Sequence, residues 1–289
     1  MTIIALIIVL IALAIGTYTD FKTREVPDWV NKGLIAIGIG LSLLFSAIHS
    51  NWNYFLGSLA GFAAFFILAI VMYYSGQWGG GDSKMIMGIG AVIGFNLINF
   101  NLRESFLLIF LFNLLITGAV YGLLWSIALS IKNFKKLVKE FKKTSRKKGV
   151  IKIKKLLIIF SLLVLIVILF VNQRSLELIL FLLLLFVVTL FYMWIYIKAV
   201  ENVCMLKYVT PDKLTEGDWI AKNIKVNKKV VAGPKDLGIE KKQINQLVKF
   251  YKQRKLKKVL IKEGIPFVPS FFIAYIVSLF FGNLLWLII

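Results

Sequence analysis

Cysteine and histidine are almost absent from this sequence, whose 289 residues include one cysteine, Cys204, and one histidine, His49. A single cysteine excludes an internal disulfide, a CxxC redox site and a cysteine-rich zinc site. A single histidine, in a short loop, argues against a histidine-based catalytic triad and a zinc site. We therefore expect no metal and no cofactor.

Acidic residues are also scarce, with 14 Asp and Glu against 35 Lys and Arg and a formal net charge of +21. On a soluble protein such a charge would suggest nucleic acid, but no RNA-binding or helix-turn-helix signature is present. The basic residues cluster in two loop regions beside apolar segments. We therefore expect anionic lipids as partners and no nucleic acid.

Hydrophobic residues make up 59% of the chain, and the mean hydropathy is +0.84. A bilayer core about 30 Å thick needs roughly 20 apolar residues per helix. The sequence predicts an all-α polytopic membrane bundle of about eight transmembrane helices. No basic residues precede the first run, so we expect a retained helix rather than a signal peptide. The apolar runs lie at 2–18, 33–48, 53–75, 85–100, 105–130, 156–171, 175–197 and 267–289.

Lysine and arginine separate into alternate loops. On one side lie 33 of the 35, in 19–32, 76–84, 131–155 and 198–264. The other side carries only Arg103 and Arg174. Basic loops remain in the cytoplasm. We therefore expect a multi-pass cell-membrane protein with both termini outside and the basic loops inside.

The same pattern predicts the domain organisation. The five expected parts are a transmembrane core at 1–130, a basic cytoplasmic loop at 131–155, helices six and seven at 156–197, a basic cytoplasmic domain at 198–264 and a last transmembrane helix at 265–289. Phe134, Leu137, Val138 and Phe141 keep helical spacing, so part of the loop could be an interfacial helix. A solvated retention anchor is the alternative for this loop.

The basic domain at 198–264 is expected to be a small α+β domain. Residues 198–208 should prolong the seventh helix, and 240–255 have the periodicity of an amphipathic helix. Residues 225–231 predict a strand or hairpin arm, and 259–261 predict a second strand.

Two aspartates lie at ends of apolar runs on the cytoplasmic side. Asp20 follows the first run, and Pro27 prevents one continuous helix into the second. Asp82 follows Gly79, Gly80 and Gly81 and opens the fourth helix. Two close carboxylates share a proton and can activate water without a metal, which is the chemistry of an aspartic protease. The alternatives are that Asp82 is a helix N-cap and Asp20 an interface charge.

The neighbouring residues suggest how a peptide could bind. Glycines without a Cβ let a substrate backbone approach, and their free polar groups could pair with an extended strand. Glu25 and Asp28 could contact a basic leader, or could simply balance Lys22 and Arg24. Lys84 could favour an ionised Asp82 or anchor the interface, and Trp78 could pack on the substrate.

These residues resemble the GxGD membrane aspartic proteases, specifically the type IV prepilin and archaeal preflagellin peptidases. Residues 79–82 fit the GxGD motif, and 83–94 resemble its helical continuation. Residues 20–28 resemble the first-aspartate motif, and 264–269 resemble the start of the last helix. The resemblance covers roughly 1–125 and 262–289.

The resemblance implies catalytic Asp20 and Asp82 and a membrane-anchored pilin- or flagellin-like precursor, cut just before its hydrophobic helix. Bacterial members often carry a cysteine-rich domain and methylate the new amino terminus. This chain lacks those cysteines, so peptidase activity without methylation is expected.

Two other functions stay open at this point. The aspartates could serve a proton- or cation-coupled transporter, although transporters usually place charges near the bilayer midplane and often show repeats. The chain could also be a non-catalytic assembly factor that docks through its basic domains.

Overall fold

The computed structural model describes residues 3–98, 101–226 and 229–284, and this part of the chain is mostly helical. The α-helices are α1 (Ile3–Thr23), α2 (Asp28–Ile48), α3 (Asn53–Tyr74), α4 (Gly80–Ile93), α5 (Phe106–Lys132), α6 (Phe134–Ser145), α7 (Lys148–Phe170), α8 (Arg174–Val200), α9 (Lys241–Lys252) and α10 (Val268–Phe281). The strands are β1 (Leu206–Val209), β2 (Trp219–Ile220), β3 (Ile224–Val226), β4 (Lys229–Ala232) and β5 (Val259–Lys262).

Six helices of the described ranges are long and apolar enough to cross a membrane. They are α1, α2, α3, α5, α7 and α8, the last extended by π-helical turns over Glu201–Met205. The chain is therefore a multi-pass, largely helical membrane protein with a small sheet-containing part. Helices α4 and α10 have 14 residues each, a rise of about 21 Å. The sequence predicted about eight transmembrane helices, and α4 and α10 are the two predicted ones that are not among these six.

The chain packs into two compact units. The first comprises Met1–Leu124, Thr210–Val259 and Gly264–Ile289, and the second comprises Trp125–Val209 and Leu260–Glu263. The segment 198–264 is thus shared between the two units.

Helix α4 lies at the centre of the first unit. Its side chains Met85, Ile86 and Ile89 are fully buried and pack in one core with residues of α1, α3, α5 and α10. A helix that is apolar on most sides needs such enclosure. Asn113 of α5 binds the end of α10, because its amide donates to Ser278 Oγ at 2.9 Å and to the Gly282 carbonyl at 2.7 Å.

Helix α4 is shorter than its apolar run predicts. It ends at Ile93 because Gly94 adopts a φ of 61°, which favours glycine. The Phe95 N–H then donates to the Gly57 carbonyl of α3. The prediction of a span over 85–100 was therefore wrong beyond Ile93, and residues 99–100 lie outside the described ranges.

The segment 210–259 of the first unit contains a hairpin and a helix. The range 225–231, predicted as a single strand or hairpin arm, contains parts of both arms. Strands β3 and β4 pair antiparallel, with Ile224 opposite Ala232 and an irregularity after Ile224. Helix α9 confirms the amphipathic helix predicted over 240–255, and its Leu247 is fully buried.

The second unit is built on α8. Leu137 of α6 packs against Ala199 and Val200, and Val150 of α7 packs against Phe191 and Ile195. Helix α6 confirms the predicted helix within 131–155, and α7 already begins at Lys148. The prediction that 198–208 prolong a helix was wrong from Leu206, because residues 206–209 pair with β5 as strand β1.

Candidate active site

Asp20 lies in the last turn of α1, inside the helix rather than in the loop that the sequence predicted after residue 18. Its side chain is 6% exposed. Its Oδ2 accepts a hydrogen bond of 3.0 Å from the Val268 N–H, at the first residue of α10. The amino end of a helix carries free N–H groups and a partial positive charge. Burial disfavours a charge on the Asp20 carboxylate, and the N–H at the start of α10 partly offsets that cost.

Asp82 is the third residue of α4, whereas the sequence predicted that it opens the helix. Its Oδ2 accepts a hydrogen bond of 3.0 Å from the Gly79 N–H. Gly79 is extended and precedes the helix, so Asp82 helps to cap α4 from its third position. The capping role that the sequence left open is therefore part of the observed geometry.

The two aspartates come together through packing of α1 against α4. A Cβ added at Gly16 would lie 2.7 Å from Met85 Cε and 3.2 Å from Val268 Cγ1, so this glycine permits the close approach. Asp20 is one turn after Gly16, and Asp82 is about one turn before Met85. Because α1 and α4 run in opposite directions, the two carboxyl-bearing turns lie side by side.

The electrostatics of Asp82 reflect this neighbourhood. The Asp82 side chain is partly exposed, but surrounding protein atoms remove much of the water that would stabilise its charge. This burial, and secondly the negative charge of Asp20, raise the pKa of Asp82 to about 7, against the lowering effect of the Gly79 N–H. Two acids that interact in this way can share one proton.

The three glycines have different environments. A Cβ at Gly81 would lie 3.3 Å from Val26 Cβ, so Gly81 lets the loop after α1 pack on α4. A Cβ at Gly80 would meet no atom within 4 Å. Because Gly80 and Gly81 are helical, the predicted strand pairing along all three glycines is not available here, and only Gly79 is extended.

The charged residues near the aspartates pair differently from the prediction. Lys84 Nζ lies 2.7 Å from Asp28 Oδ1, so Lys84 neutralises Asp28 and not Asp82. Asp28 Oδ2 also lies 2.9 Å from Lys32 Nζ. Glu25 and Asp28 were both expected to contact a basic leader. Asp28 already forms ion pairs with two lysines of this chain, whereas the side chain of Glu25 is exposed.

Arg24 occupies the turn between Asp20 and α2. It has a φ of 62°, an uncommon conformation for a residue other than glycine, and its N–H donates to the Asp20 carbonyl at 3.0 Å. Its guanidinium donates to the Gly264 carbonyl at 3.5 Å. This turn ends α1 at Thr23, within one helical turn of Asp20.

Trp78 is a structural residue and does not face a substrate. It is 3% exposed and packs against Phe267 and Phe271, with ring centroids 6.2 Å and 5.2 Å away. The suggestion that it packs on a substrate was wrong.

Sequence reasoning missed the Val268 N–H, because a backbone donor leaves no signal in residue type. Pro266 and Pro269 were the available sign, because prolines of this spacing mark the start of a helix, where the first N–H groups have no acceptor within the helix. Among the described residues, no group of three or more His, Cys, Asp or Glu side chains could hold a metal ion.

Comparison with known proteins relates this region to a peptidase family. Residues 6–123 match the type IV leader peptidase family. The preflagellin peptidase of Methanococcus maripaludis (strain C6) is 34% identical over 83 residues, 29% of this chain and 36% of the relative. That of Methanococcus voltae is 37% identical over 90 residues, 31% of this chain and 38% of the relative.

The preflagellin peptidase of Methanocaldococcus jannaschii is 37% identical over 83 residues, 29% of this chain and 35% of the relative. These matches span little more than a third of the relatives' length. The matched family region contains both Asp20 and Asp82. The part of the chain that carries the two aspartates is therefore similar to the type IV leader peptidase family.

Proposed function

We propose that this chain is a membrane aspartic endopeptidase that removes the short basic leader of prepilin- or preflagellin-like precursors. The observation that carries the proposal is the close packing of α1 on α4 at Gly16 and Met85, which makes Asp20 and Asp82 neighbours inside the region that matches the leader peptidase family. The relatives named preflagellin peptidase support a flagellin-like precursor as the substrate class. They favour proteolysis over the transporter alternative.

The environments of the two acids suggest separate roles. Burial disfavours the ionised form of Asp20, but the N–H at the start of α10 and the positive charge of Arg24 both oppose that effect. The environment of Asp82 favours its protonated form up to about pH 7. We assign the general base to Asp20 and the general acid to Asp82.

The reaction then needs no other catalytic group. Asp20 takes a proton from a water molecule, whose oxygen attacks the scissile carbonyl carbon as Asp82 gives its proton to the carbonyl oxygen. The tetrahedral intermediate collapses when the carbonyl oxygen returns its proton to Asp82. The leaving amine takes the proton held by Asp20. Both carboxyl groups are restored, and no methyl transfer is part of the cycle.

The substrate is expected to approach from the membrane surface. Gly80 has open space above it and Gly79 is extended, so the scissile segment can run past these two glycines. The exposed Glu25 is suited to a basic leader. Gly81 supports the site indirectly, because it lets Val26 pack closely on α4. Asp28 can bind the leader only if basic residues of the leader displace Lys32 and Lys84 from it.

The membrane topology belongs to the same proposal. Helices α4 and α10 complete eight spans, both termini lie outside, and Asp20 and Asp82 lie at the cytoplasmic face. The separation of basic residues into alternate loops supports this orientation. In this orientation the first turn of α4, which contains Asp82, lies at the cytoplasmic headgroup level, where the first residues of a precursor helix enter the bilayer.

The test compares precursor processing in membranes that contain Asp20→Asn or Asp82→Asn. Each substitution removes one carboxyl group of the pair while keeping its shape. The rate of precursor processing should therefore fall by about a hundredfold to ten-thousandfold. Asp212→Asn is the matched control, because Asp212 is an exposed acid of the same unit, and it should process normally. Full processing by either catalytic variant would refute the proposal.

A further inference from the structure

A groove lies between α6 and α7 in the second unit. These helices form a hairpin, since only Arg146 and Lys147 separate them. The groove has a volume of about 470 Å³. The proposed peptidase chemistry does not use it, because none of the residues that line it belongs to the candidate active site.

Four cationic side chains line this groove: Lys142, Arg146, Lys154 and Lys155. In the part of the chain that the structure describes, none of these four has a carboxylate within ion-pair distance. Other lysines of the unit are paired, including Lys143 with Glu140 and Lys198 with Glu201. Four clustered positive charges without an anion repel one another. A polyvalent anion bound in the groove would relieve this repulsion, so the groove is electrostatically suited to one.

Apart from Ser145, the rest of the lining is apolar. Phe141 lies between the cations and the packed interior, where it contacts the cluster of Val150, Phe191 and Ile195. Ile151 and Ile158 also line the groove, and both are exposed. An inorganic anion would gain nothing from these surfaces, whereas a hydrocarbon chain would bury them.

The groove also lies at the right depth for a lipid. The uninterrupted apolar part of α7 begins at Leu156, directly after Lys154 and Lys155. Ile158 is then about 5 Å inside the hydrocarbon boundary, and the cations lie at headgroup level. Helix α6 is strongly amphipathic, as helices in the plane of the interface are.

We propose that this groove is a binding site for one anionic phospholipid. The phosphate would lie among Lys142, Arg146, Lys154 and Lys155, and an acyl chain would run along Ile158 of α7. This goes beyond a diffuse attraction of basic loops to the membrane, because it predicts a preferred stoichiometric lipid. It does not depend on the proposed peptidase function.

Native mass spectrometry of the full-length protein tests the site directly. The protein in neutral detergent is incubated with an equimolar mixture of phosphatidylglycerol and phosphatidylcholine. We expect one retained phosphatidylglycerol per chain in clear preference to phosphatidylcholine. A variant with Gln at all four groove positions should lose this adduct by on the order of tenfold or more.

The matched control removes the same charge elsewhere on α6 and α7. It carries Lys135→Gln, Lys136→Gln, Lys139→Gln and Lys148→Gln, at exposed positions that do not line the groove. We expect this control to retain the adduct. Equal loss in both variants would overturn the site in favour of nonspecific charge.

Two further measurements keep the test decisive if the groove variant folds poorly. A variant with Lys142, Lys154 and Lys155 replaced by Arg should retain the lipid, because its charges are unchanged. In the wild-type protein, excess glycerol phosphate or inorganic phosphate should not displace phosphatidylglycerol. Displacement by this excess would mean that the groove takes a soluble phosphate, and the lipid proposal would be wrong. Equal retention of the two lipids by the wild-type protein would also contradict it.

Discussion

At the scale of single residues, the site depends on two acids with unequal surroundings. Burial disfavours a negative charge on both carboxylates. Asp20 receives an N–H from the start of α10 and the positive charge of Arg24, whereas Asp82 receives an N–H from Gly79 and the negative charge of Asp20. Residue type alone does not distinguish these environments. The sequence identified both acids as a pair, but their different roles follow from which backbone donors reach each carboxylate.

The pH dependence of processing follows from this asymmetry. The pKa of Asp82 is raised to about 7, so its carboxyl group is protonated below that pH and loses its proton above it. The proposed mechanism needs this proton, so the rate should fall as pH rises through about 7. Initial rates of precursor processing from about pH 5 to about pH 9 measure this limb.

The control for the pH profile is Asp212→Asn, which should keep the wild-type curve. Because the acids are coupled, the apparent pKa belongs to the pair. An undiminished rate up to about pH 9 would contradict the assignment of Asp82 as general acid.

At the scale of secondary-structure elements, close packing between α3 and α4 fixes the position of Asp82. A Cβ at Gly61 would lie 2.3 Å from the Gly90 carbonyl oxygen, a backbone atom that cannot rotate away. The helices must therefore separate if Gly61 acquires a side chain. Movement of α4 would carry Asp82 away from Asp20.

Gly61→Ala should consequently lower both stability and activity. Overpacking of this kind typically costs about 1–3 kcal/mol. Thermal unfolding in detergent measures the first effect, and precursor processing measures the second. The matched control is Gly40→Ala, since a Cβ at Gly40 of α2 would meet no atom within 4 Å. A Gly61→Ala protein as stable and active as the Gly40→Ala control would show that α3 and α4 do not need this contact.

The elements also show what a sequence can predict. Long apolar runs gave most helices, because burial in lipid demands them. The end of α4 at Ile93 was missed, since the break depends on the conformation of Gly94 and on the Gly57 carbonyl of a neighbouring helix. Strand β1 was missed because its residues are extended by pairing with β5, more than fifty residues later. The ion pair of Lys84 with Asp28 was missed for the same reason, because it depends on how α2 and α4 pack in the tertiary structure.

At the scale of the whole molecule, the proposal requires Asp20 and Asp82 to face the same side of the membrane. In a Cys204→Ser background, single cysteines at Lys22 and Lys84 report the two site-bearing loops, and cysteines at His49 and Arg174 report the opposite loops. An impermeant maleimide added outside intact cells should label positions 49 and 174 only. Positions 22 and 84 should be labelled only after the membrane is opened.

This labelling has an internal control, because each face is reported by two positions. If positions 22 and 84 were found on opposite faces, the two acids could not meet, and the peptidase assignment would fail. Labelling of 22 and 84 from outside would keep the pair but reverse the proposed orientation.

The joint action of the two acids is the central claim, and a double-variant cycle tests it most directly. Single-turnover rates of precursor cleavage are compared for Asp20→Asn, Asp82→Asn and the protein with both substitutions. Groups that act as one catalytic unit have strongly non-additive effects. We predict that the double variant is no slower than the slower single variant. Losses that multiply, so that the double variant is slower by the product of the two single effects, would contradict a shared water-activating dyad.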